Sequence, residues 1–276
     1  MESPAAILRR YNLRPKKSWG QCFMNDPSVV ARIVDFAEVV ARDTVVEIGA
    51  GLGALTLAVA AKAGRVVAIE RDRDLVRVLR VELATAGNIE IEEENALTYD
   101  FSQLGNKCPV RVIGNLPYNI SSQVLFRILE QRWWIRDATL MFQKEVADRV
   151  LAQPGTRLYG VPSVLCQQYS DAHKCFPVPS GAFWPRPRVD SAVISIVMRD
   201  TPRTPCDDAH FRHVVRVAFG TRRKTLRNSL VPRFGKEAVA VALDRSGIDS
   251  NRRPETLSVE DFGRLARALK MPDSGR

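Results

Sequence analysis

The stretch Thr44-Val45-Val46-Glu47-Ile48-Gly49-Ala50-Gly51-Leu52-Gly53-Ala54 decides the fold. Residues 44–48 form a short run rich in β-branched side chains, which reads as a buried strand. Three glycines follow within five residues, and the apolar residues from Ala54 to Ala63 then read as a helix. Gly49, Gly51 and Ala54 satisfy G-x-G-x-x-(G/A), a spacing that permits a tight turn and lets the backbone approach a ligand closely. On its own this spacing leaves the ligand open among NAD, FAD and S-adenosylmethionine.

Outward from this unit, strand and helix patterns alternate. Further strands are expected over 66–70, 89–91, 110–113, 138–142 and 192–197. Asp26 before Pro27 is an N-cap followed by proline at the first helical position, and Val30, Ile33, Val34 and Ala37 continue at helical spacing. Leu75, Val78, Leu79 and Leu83 mark another helix, as do Val124, Leu125 and Ile128 behind Ser121 and Ser122. Such alternation implies an α/β fold with a mostly parallel sheet and helices on both faces. After Arg199 the pattern changes. Thr201-Pro202-Arg203-Thr204-Pro205 reads as a linker, and helices are expected over roughly 208–219, 222–230, 236–246 and 258–269. The expected organisation is an α/β domain over 1–200 and a small all-helical domain over 201–276.

The chain has 276 residues and a net charge of +10. Residues 199–276 hold 17 of the 41 Lys and Arg but only 10 of the 31 Asp and Glu, so the excess is concentrated there. That clustering favours a polyanionic partner, nucleic acid above all. No apolar run reaches the roughly 18 residues a membrane span needs. Residues 1–17 are charged and lack a signal-peptide core, so a cytoplasmic location and no membrane partner are expected. The five cysteines form no C-x-x-C pair, which argues against zinc ribbons and disulfide frameworks. His210 and His213 beside Cys206 and Asp207 match no standard ligand pattern, and no metal is expected.

Glu70 closes the second strand about twenty residues after the glycines, where a carboxylate can accept from both hydroxyls of a ribose. Arg71 stands beside it. Asn95 and Ala96 follow the third strand, where a polar side chain can meet an adenine. Neither position separates NAD from S-adenosylmethionine, because both carry a ribose and an adenine. Asn115-Leu116-Pro117-Tyr118 does separate them. It sits at the carboxyl end of the strand over 110–113, where open α/β sheets bind ligands. An amide, a carbonyl freed from pairing by Pro117 and an aromatic face can hold a flat base with an exocyclic amine. Methyl transfer to such a nitrogen uses that arrangement, and hydride transfer does not.

With these residues in hand the chain resembles the ribosomal RNA adenine N6,N6-dimethyltransferases of the KsgA type. Residues 17–24 (Lys-Ser-Trp-Gly-Gln-Cys-Phe-Met) are similar to that family's N-terminal cofactor loop. Residues 46–56, Glu70 and 115–122 continue the likeness. So do Gln143 to Ala147, Pro154-Gly155 with Tyr159-Gly160, Phe183 to Ser191, and Ala218-Phe219 with Arg222 to Leu226. The resemblance implies a Rossmann-like class I methyltransferase domain. It places Gln21, Cys22, Met24, Gly49, Gly51, Glu70, Arg71, Asn95, Ala96 and Asn115 around S-adenosylmethionine. Asn115, Leu116, Pro117, Tyr118 and Phe183 fall at target-adenine positions, with Tyr118 and Phe183 sandwiching the base. It implies dimethylation of two adjacent adenines in the 3′-terminal hairpin of small-subunit ribosomal RNA, within the immature small subunit, by a monomer.

The chain departs from the family twice. Asn95 stands where Asp is usual; an amide oxygen can still accept from the adenine amine, without charge assistance. Cys22 replaces the usual Asn or His. For RNA, Arg222, Arg223 and Lys224 open the helix expected over 222–230, and Lys224 and Arg227 share a face at i, i+3. Lys16 and Lys17 are the next candidates. Two other readings keep the same fold: dimethylation of a large-subunit adenine, as in macrolide resistance, and a non-catalytic RNA-binding assembly or transcription factor.

Overall fold

A computed structural model describes residues 2–104, 109–221 and 223–269. The chain divides into two compact units, Met1–Ala147 with Ala172–Met198, and Asp148–Asp171 with Arg199–Arg276.

The first unit opens with α1 (Pro4–Arg10), β1 (Phe23–Met24) and α2 (Pro27–Phe36). The alternation then runs β2 (Thr44–Ile48), α3 (Ala54–Ala60), β3 (Arg65–Glu70), α4 (Arg73–Glu82), β4 (Ile89–Glu93), β5 (Val110–Asn115), α5 (Ser121–Glu130) and β6 (Ile135–Gln143). The chain continues with α6 (Lys144–Val150), passes through α7 (Val161–Tyr169) of the second unit, and ends this unit with β7 (Ser170–Val178), β8 (Phe183–Trp184) and β9 (Ser191–Met198). Seven strands form one sheet in the order β4-β3-β2-β5-β6-β9-β7. β2 pairs in parallel with β3 and β5, β3 with β4, and β5 with β6, while β9 runs antiparallel to β6. The expected mostly parallel sheet is therefore present. β2 and β3 are buried along almost their whole length, which is why they read as unbroken apolar runs rather than alternating ones. From β2 the chain steps outward to β3 and β4, then returns to β5 on the other side. The crevice between the carboxyl ends of β2 and β5 is the switch point of the sheet, the place where such folds bind ligands.

Two local features shape that crevice. Gly53 has φ 82°, and a Cβ there would lie 3.1 Å from Leu79 Cδ2, so glycine lets the start of α3 pack against α4. β1 and β8 form a separate two-stranded ribbon that pairs Met24 with Phe183 and Phe23 with Trp184. This ribbon fastens the N-terminal segment to the loop before β9.

The second unit holds α8 (Asp208–Phe219), α9 (Leu226–Phe234), α10 (Lys236–Ser246) and α11 (Val259–Ala268), together with α7. Its helices bury Phe211, Leu226, Leu230 and Phe262. A boundary at residue 200 thus misses residues 148–171. These join the helices because Gly155 N–H donates to the Glu255 carbonyl (2.7 Å) and the Tyr159 ring meets Phe219 edge-on at 6.3 Å. Nor is the proline-rich stretch at 201–205 a free tether. Gln168, fully buried, accepts from the Thr204 N–H (3.1 Å) and hydroxyl (3.0 Å) and donates to the Thr204 carbonyl (2.8 Å). The helix expected over 222–230 begins later. Thr225 is its N-cap, accepting from Asn228 N–H, so α9 starts at Leu226 and runs to Phe234. Arg223, with φ 69°, and Lys224 precede the helix in a turn rather than opening it, and Lys224 does not share a helical face with Arg227. Arg222 lies outside the described residues.

Candidate active site

A cavity of about 480 Å³ lies at the carboxyl ends of the central strands of the first unit. All the residues expected to hold a cofactor line it, from Gln21 through Asn115, and so do Leu116, Pro117 and Tyr118. Phe183 is placed differently. Its side chain is 4% exposed and packs in the apolar core with Met24, Met141 and Val193, off the cavity wall.

The glycine turn is held by the acid at the end of the next strand. Gly49 N–H donates to the Ile69 carbonyl (2.9 Å), and Gly51, at φ 61°, donates to Glu70 Oε2 (2.9 Å). Glu70 Oε1 accepts from Asp72 N–H (2.8 Å). Glu70 is 9% exposed, and burial pushes its carboxyl above the ordinary value while these backbone donors pull it back down. Each carboxylate oxygen has lone pairs to spare after one such bond, so Glu70 can accept hydrogen bonds from the hydroxyls of a ligand.

Glu47 sits deeper, 1% exposed, and burial pushes its carboxyl up to about 8 against the pull of the nearby Thr56 hydroxyl, with the Glu70 carboxylate adding to the rise. Its Oε2 and the Thr56 hydroxyl find no hydrogen-bond partner among the described residues. The charged residues on the cavity wall are Glu2, Glu47, Glu70, Glu82 and Glu94 against Arg71 alone, among the described residues. Glu2 and Glu82 pair with Arg10, but the remainder is still acidic. A pyrophosphate needs cations or exposed backbone donors, whereas this wall suits a ligand that carries positive charge.

The N-terminal loop closes one side. Gln21 donates to Asp72 Oδ2 (2.7 Å) and accepts from Lys16 N–H (2.8 Å), so both ends of its amide help hold the loop. Lys16 reaches Asp72 (2.5 Å) and Asp74 (2.8 Å). Trp19 is 37% exposed on the cavity rim, with the Arg71 guanidinium 5.3 Å and Lys16 Nζ 5.4 Å from its ring.

At the end of β5, Asn115 Nδ2 donates to the Cys22 carbonyl (3.1 Å). This fixes the amide, because an N–H₂ group cannot accept. Oδ1 is left as an acceptor with no protein donor among the described residues. Cys22 therefore acts through its backbone in this contact, and the side-chain substitution there leaves it intact. The Leu116 carbonyl also receives no protein donor among the described residues. Tyr118 is held by a 2.8 Å hydrogen bond between its hydroxyl and Ser191 Oγ, and burial raises the phenol above its ordinary value, so it stays protonated. Ser191, Glu47 and Trp19 belong to the site but were not foreseen as site residues. All three fall in stretches that carry the resemblance, Trp19 in 17–24, Glu47 in 46–56 and Ser191 in 183–191.

Asn95 Oδ1 accepts from Leu97 N–H (3.1 Å), which engages one lone pair of the oxygen expected to meet an adenine amine and fixes the direction of the amide. In the second unit, Arg223, Lys224 and Arg227 are exposed and have no acidic partner among the described residues.

Comparison with known proteins agrees with this geometry. The family described as ribosomal RNA adenine dimethylase matches residues 12–270. The chain is 45% identical to the ribosomal RNA small subunit methyltransferase A of Myxococcus xanthus, over 98% of this chain and 96% of that one. Its identity to the protein of the same description from Anaeromyxobacter sp. strain K is 43%, over 97% and 98%. Among solved structures, a dimethyladenosine transferase from Plasmodium falciparum superposes with a TM-score of 0.75 at 23% identity, covering 88% of this chain and 95% of that chain. The 23S rRNA methyltransferase ErmE superposes with a TM-score of 0.65 at 28% identity, covering 90% and 99%. The fold is that of a Rossmann-like methyltransferase with an additional helical part, and the chain belongs to the ribosomal RNA adenine dimethylase family.

Proposed function

We propose that the protein uses S-adenosylmethionine to dimethylate N6 of two adjacent adenines in the 3′-terminal hairpin of small-subunit ribosomal RNA. Its substrate is the immature small subunit in the cytoplasm, and it acts as a monomer. The observation that carries this reading is the amide of Asn115. With Nδ2 committed to Cys22, Oδ1 and the Leu116 carbonyl stand as two neighbouring acceptors at the end of β5. An exocyclic amine has two hydrogens to give them.

The N6 lone pair of adenine is delocalised into the ring, so the nitrogen is a poor nucleophile. Holding both hydrogens on Asn115 Oδ1 and Leu116 O favours a pyramidal nitrogen with its lone pair turned out of the ring plane. S-adenosylmethionine, when bound, supplies a methyl group on a sulfonium, made electrophilic by the positive sulfur. Glu70 suits its ribose, and the carboxylates of Glu70 and Glu94 on the cavity wall suit its positive charge. Positioning of this kind can contribute about 7–11 kcal/mol, and the fixed acceptors add electrostatic stabilisation without reorganising. Once alkylated the nitrogen is acidic, and its proton leaves to water. No strong base is needed, in keeping with a Tyr118 that is held protonated.

The target base must leave its stack to reach this site. Tyr118 offers it a ring on the cavity wall, worth about 1–3 kcal/mol in stacking. Phe183, buried off the cavity wall on β8, is a second stacking partner in this reading only if it turns out of the core. Arg223, Lys224 and Arg227, with Arg222 beside them in sequence, hold RNA phosphates from the helical unit. The small-subunit target is preferred to a large-subunit one because relatives at 42–45% identity over nearly the whole chain are described as small-subunit methyltransferases. ErmE, a 23S enzyme, shares 28%. Incubating immature small subunits with the protein and labelled cofactor, then mapping the modified nucleotides, tests the proposal. Dimethyladenosine at two neighbouring 3′-terminal positions supports it, and incorporation elsewhere or none refutes it.

A further inference from the structure

We propose that Asn95 reads the cofactor's base by donating a hydrogen bond. The site then accepts a purine bearing an oxygen at position 6 about as well as adenine. The inference rests on the reading of the cavity as an S-adenosyl site. Glu70 ends β3 and Asn95 follows β4, the next strand outward, and both line the same cavity. A ribose held at Glu70 directs its base one strand further out, toward Asn95 and Ala96.

The polar groups at that end are nearly all donors. Asn95 Oδ1 accepts from Leu97 N–H at 3.1 Å. Turning the amide over would set its N–H₂ against that N–H, two donors with no acceptor between them. The orientation is therefore fixed by the backbone, and Nδ2 is the free end. The Asn95 carbonyl is also spent, accepting from Thr98 N–H (2.9 Å), Tyr99 N–H (3.0 Å) and the Thr98 hydroxyl (3.2 Å). Ala96 N–H finds no acceptor among the described residues. Asn95 Nδ2 and Ala96 N–H, on two residues that line the cavity, are thus left as donors. Adenine can satisfy one of them through N1, but its amine at position 6 must share Asn95 Oδ1 with the Leu97 N–H. Hypoxanthine places an acceptor oxygen at position 6 and suits the same donors. A carboxylate at residue 95 behaves oppositely. One oxygen keeps the Leu97 N–H and the other accepts from the adenine amine, so a base with oxygen at position 6 meets lone pair against lone pair.

The test is calorimetric binding of S-adenosylhomocysteine and S-inosylhomocysteine, which carry no transferable methyl, to the full-length protein and to Asn95→Asp. One hydrogen bond of about 1.4 kcal/mol corresponds to tenfold in Kd. The wild type is expected to hold the two ligands within about threefold of each other, and Asn95→Asp to prefer the adenosyl form by about tenfold or more. Asn95→Ala, which removes the donor and creates no acceptor, is expected to weaken both ligands and show no tenfold preference. A wild type that prefers the adenosyl ligand by tenfold or more overturns the inference. If Glu94→Gln abolishes that preference, the exposed Glu94 carboxylate reads the amine instead. Failure of the wild type to bind either ligand removes the cofactor reading, and the inference with it.

Discussion

Replacing Glu47 by Gln should make the first unit more stable at neutral and alkaline pH, and progressively less so toward acid. Glu47 is 1% exposed, one of its oxygens has no partner, and its carboxyl is pushed up to about 8 from an ordinary 4.5. The folded-state value is raised, so the unfolded chain gives up this proton first. Stability is then fullest below pH 4.5 and is lost as pH climbs toward 8. Each pH unit inside that window costs about 1.4 kcal/mol, or roughly 3 kcal/mol by pH 7. Gln cannot ionise and escapes the loss. All four tryptophans, Trp19, Trp133, Trp134 and Trp184, lie in the first unit, so their fluorescence reports its unfolding. Urea titrations of wild type and Glu47→Gln at pH 5.5 and 8.5 should show the variant's advantage growing by about 3 kcal/mol between them. An advantage that does not change with pH would refute the reasoning. It would mean that Glu47 is ionised and compensated in the folded protein.

Asn115→Ala should lower single-turnover methyl transfer by about 10²-fold or more, the scale of losing one pre-organised polar group; a rate within a few-fold of wild type would remove Asn115 from the chemistry. Tyr118→Phe keeps the ring and loses the bond to Ser191; it should retain far more activity than Tyr118→Ala, and equal losses would show that the hydroxyl rather than the stacking face matters. Glu70→Ala should weaken S-adenosylhomocysteine binding by roughly 1.5–3 kcal/mol, since the carboxylate is lost both to the ribose and to Gly51 N–H; unchanged affinity by calorimetry would contradict its ribose role. Replacing Arg223, Lys224 and Arg227 together by Ala should spare cofactor binding and flatten the plot of log RNA affinity against log salt, by up to about 0.7–0.9 for each phosphate that the protein no longer neutralises; an unchanged slope would move RNA binding to the Lys16-Lys17 end.

The parts of the fold that could be read in advance are those whose residues are buried on both faces. β2, β3 and β5 are such strands, and the glycines and Asn115 to Tyr118 fall at their carboxyl ends, so fold and site were legible together. β7 was not. Its sequence Ser-Asp-Ala-His-Lys-Cys-Phe-Pro-Val is polar, contains a proline and lies at the sheet edge, where one side meets solvent. The attachment of residues 148–171 to the helical unit rests on hydrogen bonds such as Gly155 to Glu255 and Gln168 to Thr204, which leave no periodic trace. The start of α9 moved because Thr225 caps it, a stronger signal than the basic run before it. Tyr118 finds Ser191 across 73 positions of sequence, and the direction of the Asn95 amide is set by one backbone N–H. Both are products of tertiary geometry, and spacing could not have shown them.

The most direct test of the central claim is to purify small subunits from cells lacking this activity, incubate them with the protein and labelled S-adenosylmethionine, and map every methylated nucleotide. The account predicts four methyl groups per subunit, two on N6 of each of two neighbouring adenines in the 3′-terminal hairpin. The Asn115→Ala protein should leave that hairpin unmodified on the same timescale. Methylation at any other nucleotide, or none despite measurable cofactor binding, would contradict it.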